Sequence, residues 1–238
     1  MRSWLVYRPR MSDVTSGEGA SATPHEASAI EPSTRDLLQV IGTRRRSLAL
    51  IGLISGEDAG EDAGEKAGEE AARLSELSVS ALGFPAAGPA MERGSQAARR
   101  VPVLCLGEVG DREATIAARR FGADGVCVDA LLPAGEWDRV AKGARAMRML
   151  ALALARDEAG VKAAVQAGAR AILLRAESVE AAREAARAAP RGVIVVAEVA
   201  GADADGLRAL VGQVDAAVVP AEVHRAPGFA ALAADLDP

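Results

Sequence analysis

The sequence predicts an α/β chain closed into a single (β/α)8 TIM barrel, and three observations predict it. The length of 238 residues suits one such barrel, whose usual size is about 250 residues. Short runs that are apolar at nearly every position recur eight times, as expected of strands buried on both faces. Segments with helical patterning lie between most of them, and strand–helix alternation on this scale implies a parallel sheet that closes more readily than it stays open.

Taken in order, residues 1–33 are rich in Ser, Thr, Gly, Glu and Pro and show no period, so a flexible N-terminal tail is expected there and the barrel over 34–238. A short helix is expected over 34–41, with Ser33 or Thr34 as its cap and Asp36 in its first turn. The strands are expected at 48–54, 77–82, 101–106, 125–129, 149–155, 171–174, 193–199 and 216–219. Helices are expected at 111–121, 136–147, 157–167, 179–188 and 203–211; Asp111, Asp157, Ser178 and Asp203 supply the side-chain oxygens that open helices. The weakest unit is 56–72, where Gly56, Gly60, Gly64 and Gly68 repeat in step among Glu, Asp and Ala. Glycine costs about 1 kcal/mol relative to alanine inside a helix. A solvated low-complexity segment is therefore expected there, or alternatively an acidic docking strip; as a helix, the glycine face would allow close packing on the sheet.

Composition excludes several function classes. Aromatic residues make up 3% of the chain and the net charge is −5, which gives nucleic acid neither a stacking platform nor an attractive field. No apolar run is long enough to span a membrane, and the stretch Trp4-Leu5-Val6-Tyr7 is too short for a signal-peptide core. Cys105 and Cys127 lack a second ligand pair, so no metal site is expected, only two buried reduced thiols in a cytoplasmic protein. No phosphate loop of the P-loop or dinucleotide type is present, and Ser55 and Ser80 lack the context of a nucleophile elbow. No cofactor is expected.

The second half of the chain resembles the indole-3-glycerol phosphate synthase family. The stretch LALARDEAGVKAAVQAGARAILLRAES is similar to the family's fifth strand, following helix, Ala-Gly-Ala turn and sixth strand. VVAEVAGADADGLRALVGQVDAAVVPAEVHRAP resembles its Val-Ser-Glu-Ser-Gly-Ile segment, the next helix and the last, phosphate-binding strand. Val101-Pro102-Val103-Leu104 matches the start of the third strand, and 48–55 fits the first, which in the family reads Ile-Ala-Glu-Ile-Lys-Arg-X-Ser-Pro-Ser. The likeness spans roughly residues 35–236, by pattern and order rather than identity.

The resemblance implies a reaction that closes a ring onto a carbonyl and then loses carbon dioxide and water. Such chemistry needs ammonium and carboxylate groups at the carboxyl ends of the strands. Carried over by position, the first-strand glutamate and lysine fall on Leu50 and Gly52, the third-strand lysine on Leu106, the fifth-strand glutamate on Leu154 and the sixth-strand asparagine on Arg175. Glu198 keeps the seventh-strand glutamate, but Val199 and Ala200 replace the serine and glycine after it. Of the phosphate site, Ser55 remains, Glu177 replaces an arginine, and Pro220-Ala221-Glu222 replaces Gly-Glu-Ser, so that Pro220 removes a backbone N–H. A general acid or base typically contributes about 10² to 10⁴ in rate. The expectation is a degenerate member that has lost ordinary synthase activity.

Arg175 and Glu198 are expected to point inward from adjacent strands and pair at the barrel mouth, either as a structural ion pair or as a reshaped anion or small-molecule site with Asp129 nearby. Glu108, Arg156 and Glu222 also sit at strand ends and are expected to be solvated, His25 falls in the tail, and His224 is expected at the surface. The function expected is that of a non-catalytic binding or interaction module, with a protein partner or a small apolar or anionic ligand. The alternatives are a divergent synthase of tryptophan biosynthesis (a carboxy-lyase), a barrel with another reaction built on Arg175 and Glu198, and a sensor of indole-like rings. The ligand and the oligomeric state are not encoded in any motif.

Overall fold

The computed structural model describes residues 30–42, 47–55, 62–77 and 79–236. Residues 1–29 of the expected tail, with His25, and the repeat glycines Gly56 and Gly60 lie outside the described residues.

Eight parallel strands close into a barrel in sequence order. They are β1 (Ala49–Leu53), β2 (Ala81–Phe84), β3 (Val103–Glu108), β4 (Gly125–Asp129), β5 (Leu150–Ala155), β6 (Ala171–Ala176), β7 (Ile194–Val199) and β8 (Ala216–Val219). The ring closes where β1 pairs with β8, with Leu50 opposite Ala217 and Ile51 opposite Val218. The helices are α1 (Leu37–Gly42), α2 (Ala63–Glu76), α3 (Pro89–Ala97), α4 (Arg112–Arg120), α5 (Ala134–Ala146), α6 (Glu158–Gln166), α7 (Val179–Ala186), α8 (Ala204–Leu210), α9 (Ala221–His224) and α10 (Phe229–Leu236).

Successive strand residues point to opposite faces, and here both faces are apolar. Ile51, Leu104, Leu106, Leu152, Leu154 and Leu173 belong to the packed barrel interior, while their neighbours Leu50, Cys105, Ala153, Ile172 and Leu174 pack under the helices. Cys105 and Cys127 are free and buried, one on each face. Burial pushes both thiols above their usual range, Cys127 furthest. They are inert packing groups.

Four expectations need correction. The apolar run at 77–82 is the junction of two elements: Leu77 closes α2 by donating to the Arg73 and Leu74 carbonyls, and the strand begins at Ala81. The interval that follows, given no helix from its sequence, forms α3, with Pro89 at its first position and Met91 and Gly94 buried. α1 begins at Leu37, because Asp36 Oδ1 accepts the Gln39 N–H at 3.0 Å and caps it. Finally, the described part of the repeat from Ala63 onward is a regular helix, not the solvated low-complexity segment expected. α2 buries Ala67, Ala71 and Leu74 and leaves Glu65 and Glu69 exposed. Its glycines face α3 rather than the sheet: a Cβ on Gly64 would lie 3.3 Å from Arg93 Cγ, and one on Gly68 would lie 3.8 Å from the Arg93 carbonyl. Burying Leu74 contributes about 1.5–3 kcal/mol, enough to offset the intrinsic cost of two glycines.

The floor of the barrel, at the amino ends of the strands, is sealed by α1. Leu37 and Ile41 enter the interior cluster, and Gly125 makes room, since a Cβ there would lie 2.5 Å from Leu37 Cδ2. Beside this plug Asp124, 1% exposed, gathers four donors from three segments. Ser33 Oγ donates to it at 2.5 Å, the Val103 N–H at 2.8 Å, Arg35 Nε at 2.7 Å and Arg119 Nη1 at 3.1 Å. The Ser33 N–H also donates to the Met147 carbonyl and Arg119 Nε to that of Glu31, so the compact unit starts at Glu31, inside the stretch expected as tail.

Candidate functional site

In a barrel of this kind the groups available for chemistry are the inward side chains at the carboxyl ends of the strands, and the loops beyond them. Arg175 and Glu198 are register partners on β6 and β7. Both side chains therefore rise on the inner face at the same height. Arg175 Nε donates to Glu198 Oε2 at 2.8 Å, and Arg175 Nη2 donates to the Leu106 carbonyl on β3 at 3.2 Å. The guanidinium thus reaches from β6 to β3 across the mouth. The acceptor sits where the β3–β4 register slips between Cys105 and Glu108, a bulge that re-aims the end of β3. The pair is partly open to solvent, with side-chain exposures of 36% for Arg175 and 27% for Glu198.

Three other charges near the mouth, Arg156, Glu108 and Asp129, are also engaged. Arg156 donates to Glu108 Oε1 at 2.6 Å, and both side chains are about half exposed to water. Asp129 Oδ1 accepts the Leu131 N–H at 2.9 Å, folding its own loop back. Among the described residues, no group of three or more His, Cys, Asp or Glu side chains could hold a metal ion.

The three leucines aligned with charged positions separate on inspection. Leu106 and Leu154 are buried in the barrel interior. Leu50 is not there: it packs in the outer layer, and a Cβ on its neighbour Gly52 would lie 2.7 Å from Leu74 Cδ1 on α2. The carry-over at β1 is therefore one residue out of phase, because 48–54 is apolar on both faces and alternation gives it no phase. The inner positions of β1 are Ala49, Ile51 and Leu53, which are also hydrocarbon.

The loops after β7 and β8, with the start of a short helix, are where such barrels frequently bind phosphate. Here Val199 is buried under the helices, Ala200 is exposed, and Asp203 caps α8 by accepting the Gly206 N–H at 2.8 Å. Pro220 caps α9, with exposed Glu222 in its first turn and no side-chain hydrogen bond at the cap. A carboxylate at each of these two helix starts already occupies the favourable end of the dipole and repels a second anion. Glu177 is exposed at the end of β6, and Ser55 is half-buried just beyond β1.

His224 corrects another expectation, for it is 1% exposed rather than on the surface. Its Nε2 lies 2.7 Å from the Leu53 carbonyl and must donate to it, while Nδ1 lies 2.9 Å from Arg73 Nη2 and 3.1 Å from Glu70 Oε1; in the neutral ring that burial favours, Nδ1 accepts from Arg73. Glu70 lies beside it, bridging Arg73 and Arg225. Burial lowers the His224 pKa, and although burial alone would raise Glu70, Arg73 and Arg225 hold its carboxyl below the usual range. The cluster ties α9 to α2 and to the end of β1. Its partners lie 151 and 171 residues away in sequence, and no local signal reveals them.

No protein-family model matches the sequence, and no curated protein matches it. Solved structures share its fold. The N-acetylmannosamine-6-phosphate 2-epimerase from Clostridium perfringens superposes with a TM-score of 0.64 at 15% identity, over 80% of this chain and 92% of that one. The orotidine 5'-phosphate decarboxylase from Pyrococcus horikoshii OT3 gives 0.59 at 14% identity, over 78% and 97%. At such identities the likeness shows a shared barrel and no more. Among the described residues no helix is long and apolar enough to cross a membrane.

Proposed function

We propose that this barrel is a degenerate member of the ribulose-phosphate-binding type, related to indole-3-glycerol phosphate synthase, and works as a non-catalytic binding or interaction module. One observation carries the reading. The inward charges at the top of β6 and β7, Arg175 and Glu198, are committed to each other and to the Leu106 carbonyl, with Leu106 and Leu154 beside them in the packed interior. A ring closure followed by decarboxylation and dehydration needs a proton donor and acceptor free to move toward substrate. A guanidinium bonded to a carboxylate is a poor proton donor, and hydrocarbon is none. The carboxylates Asp203 and Glu222 at the α8 and α9 starts work against phosphate as well. The two buried thiols fit a reducing, cytoplasmic setting.

The test is complementation of a tryptophan auxotroph lacking its own synthase. The reading predicts no growth without tryptophan from a chain that is expressed and folded; growth would overturn it. A second reading, an enzyme of another reaction, draws on the partial exposure of Arg175 and Glu198 and on the fold shared with two named enzymes. It predicts that Arg175→Met or Glu198→Gln abolishes whatever turnover a substrate screen finds.

A further inference from the structure

A cavity of about 520 Å³ opens on the floor side of the barrel, between α1, the α5–β5 turn and the α6–β6 turn. That volume lies within the range of small-molecule sites. Its wall is apolar at Leu38, Trp137, Ala141 and Met149, and carries the arginines Arg145, Arg148 and Arg170. The carboxylates in the same wall are engaged: Asp124 by the buried network, Asp138 by Lys142 at 2.5 Å, and Asp36 by the α1 cap. Arg148 and Arg170 are exposed and, among the described residues, their guanidinium groups make no hydrogen bond or ion pair.

A second observation concerns Arg148 itself. Helices α4, α5 and α6 end in one and the same motif. In each, two successive N–H groups return to the last turn: Gly122 to Arg119 and Ala123 to Ala118, Arg148 to Arg145 and Met149 to Ala144, Gly168 to Val165 and Ala169 to Ala164. The motif places its penultimate residue in the left-handed region, where glycine is the relaxed choice. Gly122 (φ 96°) and Gly168 (φ 78°) follow that rule, whereas Arg148 sits there at φ 55°, unlike any other non-glycine residue described. That strained residue is one of those lining the floor cavity.

We propose that this cavity is a binding site for a small organic oxyanion, a carboxylate or phosphate on an apolar body, held by Arg148 and Arg170 with Trp137 and Leu38 against the body. The site stands apart from the mouth and does not depend on whether the mouth is catalytic. An arginine fork recognises either oxyanion, and the two sources separate by experiment. Benzoate and phenyl phosphate serve as probes, with inorganic phosphate as the control for the apolar part. Binding is read by thermal shift and by isothermal titration on the full chain. The expected result is saturable binding of at least one phenyl probe, weaker binding of inorganic phosphate, and a loss of about tenfold or more in Arg170→Ala, the equivalent of one charge-assisted hydrogen bond. Arg148→Gly separates this role from a structural one. It relaxes the backbone, so the ligand-free protein melts higher, by about 2–4 °C for a chain of this size, while probe binding falls by about tenfold. No saturable binding of either phenyl probe at 10 mM, or full binding retained by both variants, would overturn the proposal.

Discussion

The two ends of the barrel each join arginine to carboxylate, and they do so in opposite ways. At the floor, Asp124 is shut away from water and receives two guanidinium groups, a hydroxyl and a backbone N–H, drawn from segments as far apart as Ser33 and Arg119. At the mouth, Glu198 receives one guanidinium and stays partly open to solvent. A buried carboxylate that loses its donors is left uncompensated in low dielectric, whereas an exposed one recovers water. The floor arrangement therefore holds the fold together. The mouth arrangement pairs two groups that water still reaches and contributes little stability.

That contrast can be broken by mutation. Asp124→Ala removes the shared acceptor and strands Arg35, whose pKa burial already lowers, so the fold should lose about 3–5 kcal/mol in a denaturant titration. A loss near zero would mean that the floor network is ornamental.

The His224 cluster gives a smaller effect with a defined sign. Its folded pKa lies below the unfolded value near 6.5, so the unfolded chain takes up the proton first as pH falls. The contribution is fully present above pH 6.5 and is lost as pH falls through the folded pKa. Melting temperature should thus drop on acidification from pH 7 to pH 5, and His224→Gln, which can still donate to the Leu53 carbonyl, should flatten that slope. A slope unchanged by the substitution would remove His224 as its cause.

Smallest of all should be Arg175→Met. The pair is exposed enough for solvent to screen it, so the change should cost about 1 kcal/mol or less in the same titration. A cost comparable to that of Asp124→Ala would erase the distinction between the two ends.

How much of this the sequence revealed depended on where its patterns carry phase. The strands at 125–129 and 216–219 were legible to the residue, each being a short apolar run bounded by polar or turn-forming residues. The inward pairing of Arg175 with Glu198 was legible too, because each is a lone charge in an apolar strand and must share a face with its register partner. The first strand was not. Its residues are hydrocarbon on both faces, so the one-residue slip that put Leu50 where Ile51 belongs left no trace in composition. α3 was hidden by Gly88, Pro89 and Gly94, which read as breakers although Pro89 starts the helix and Gly94 lies against Phe84. Asp124 and His224 were missed for a third reason: a buried polar residue is defined by distant partners, and neither Arg35 nor Leu53 is near in the chain.

The most direct test of the account is an assay of purified protein with the anthranilate-derived ribulose phosphate that indole-3-glycerol phosphate synthases consume. The protein should release carbon dioxide at the uncatalysed rate, and Arg175→Met and Glu198→Gln should leave that rate unchanged. Turnover above background that either substitution abolishes would contradict it.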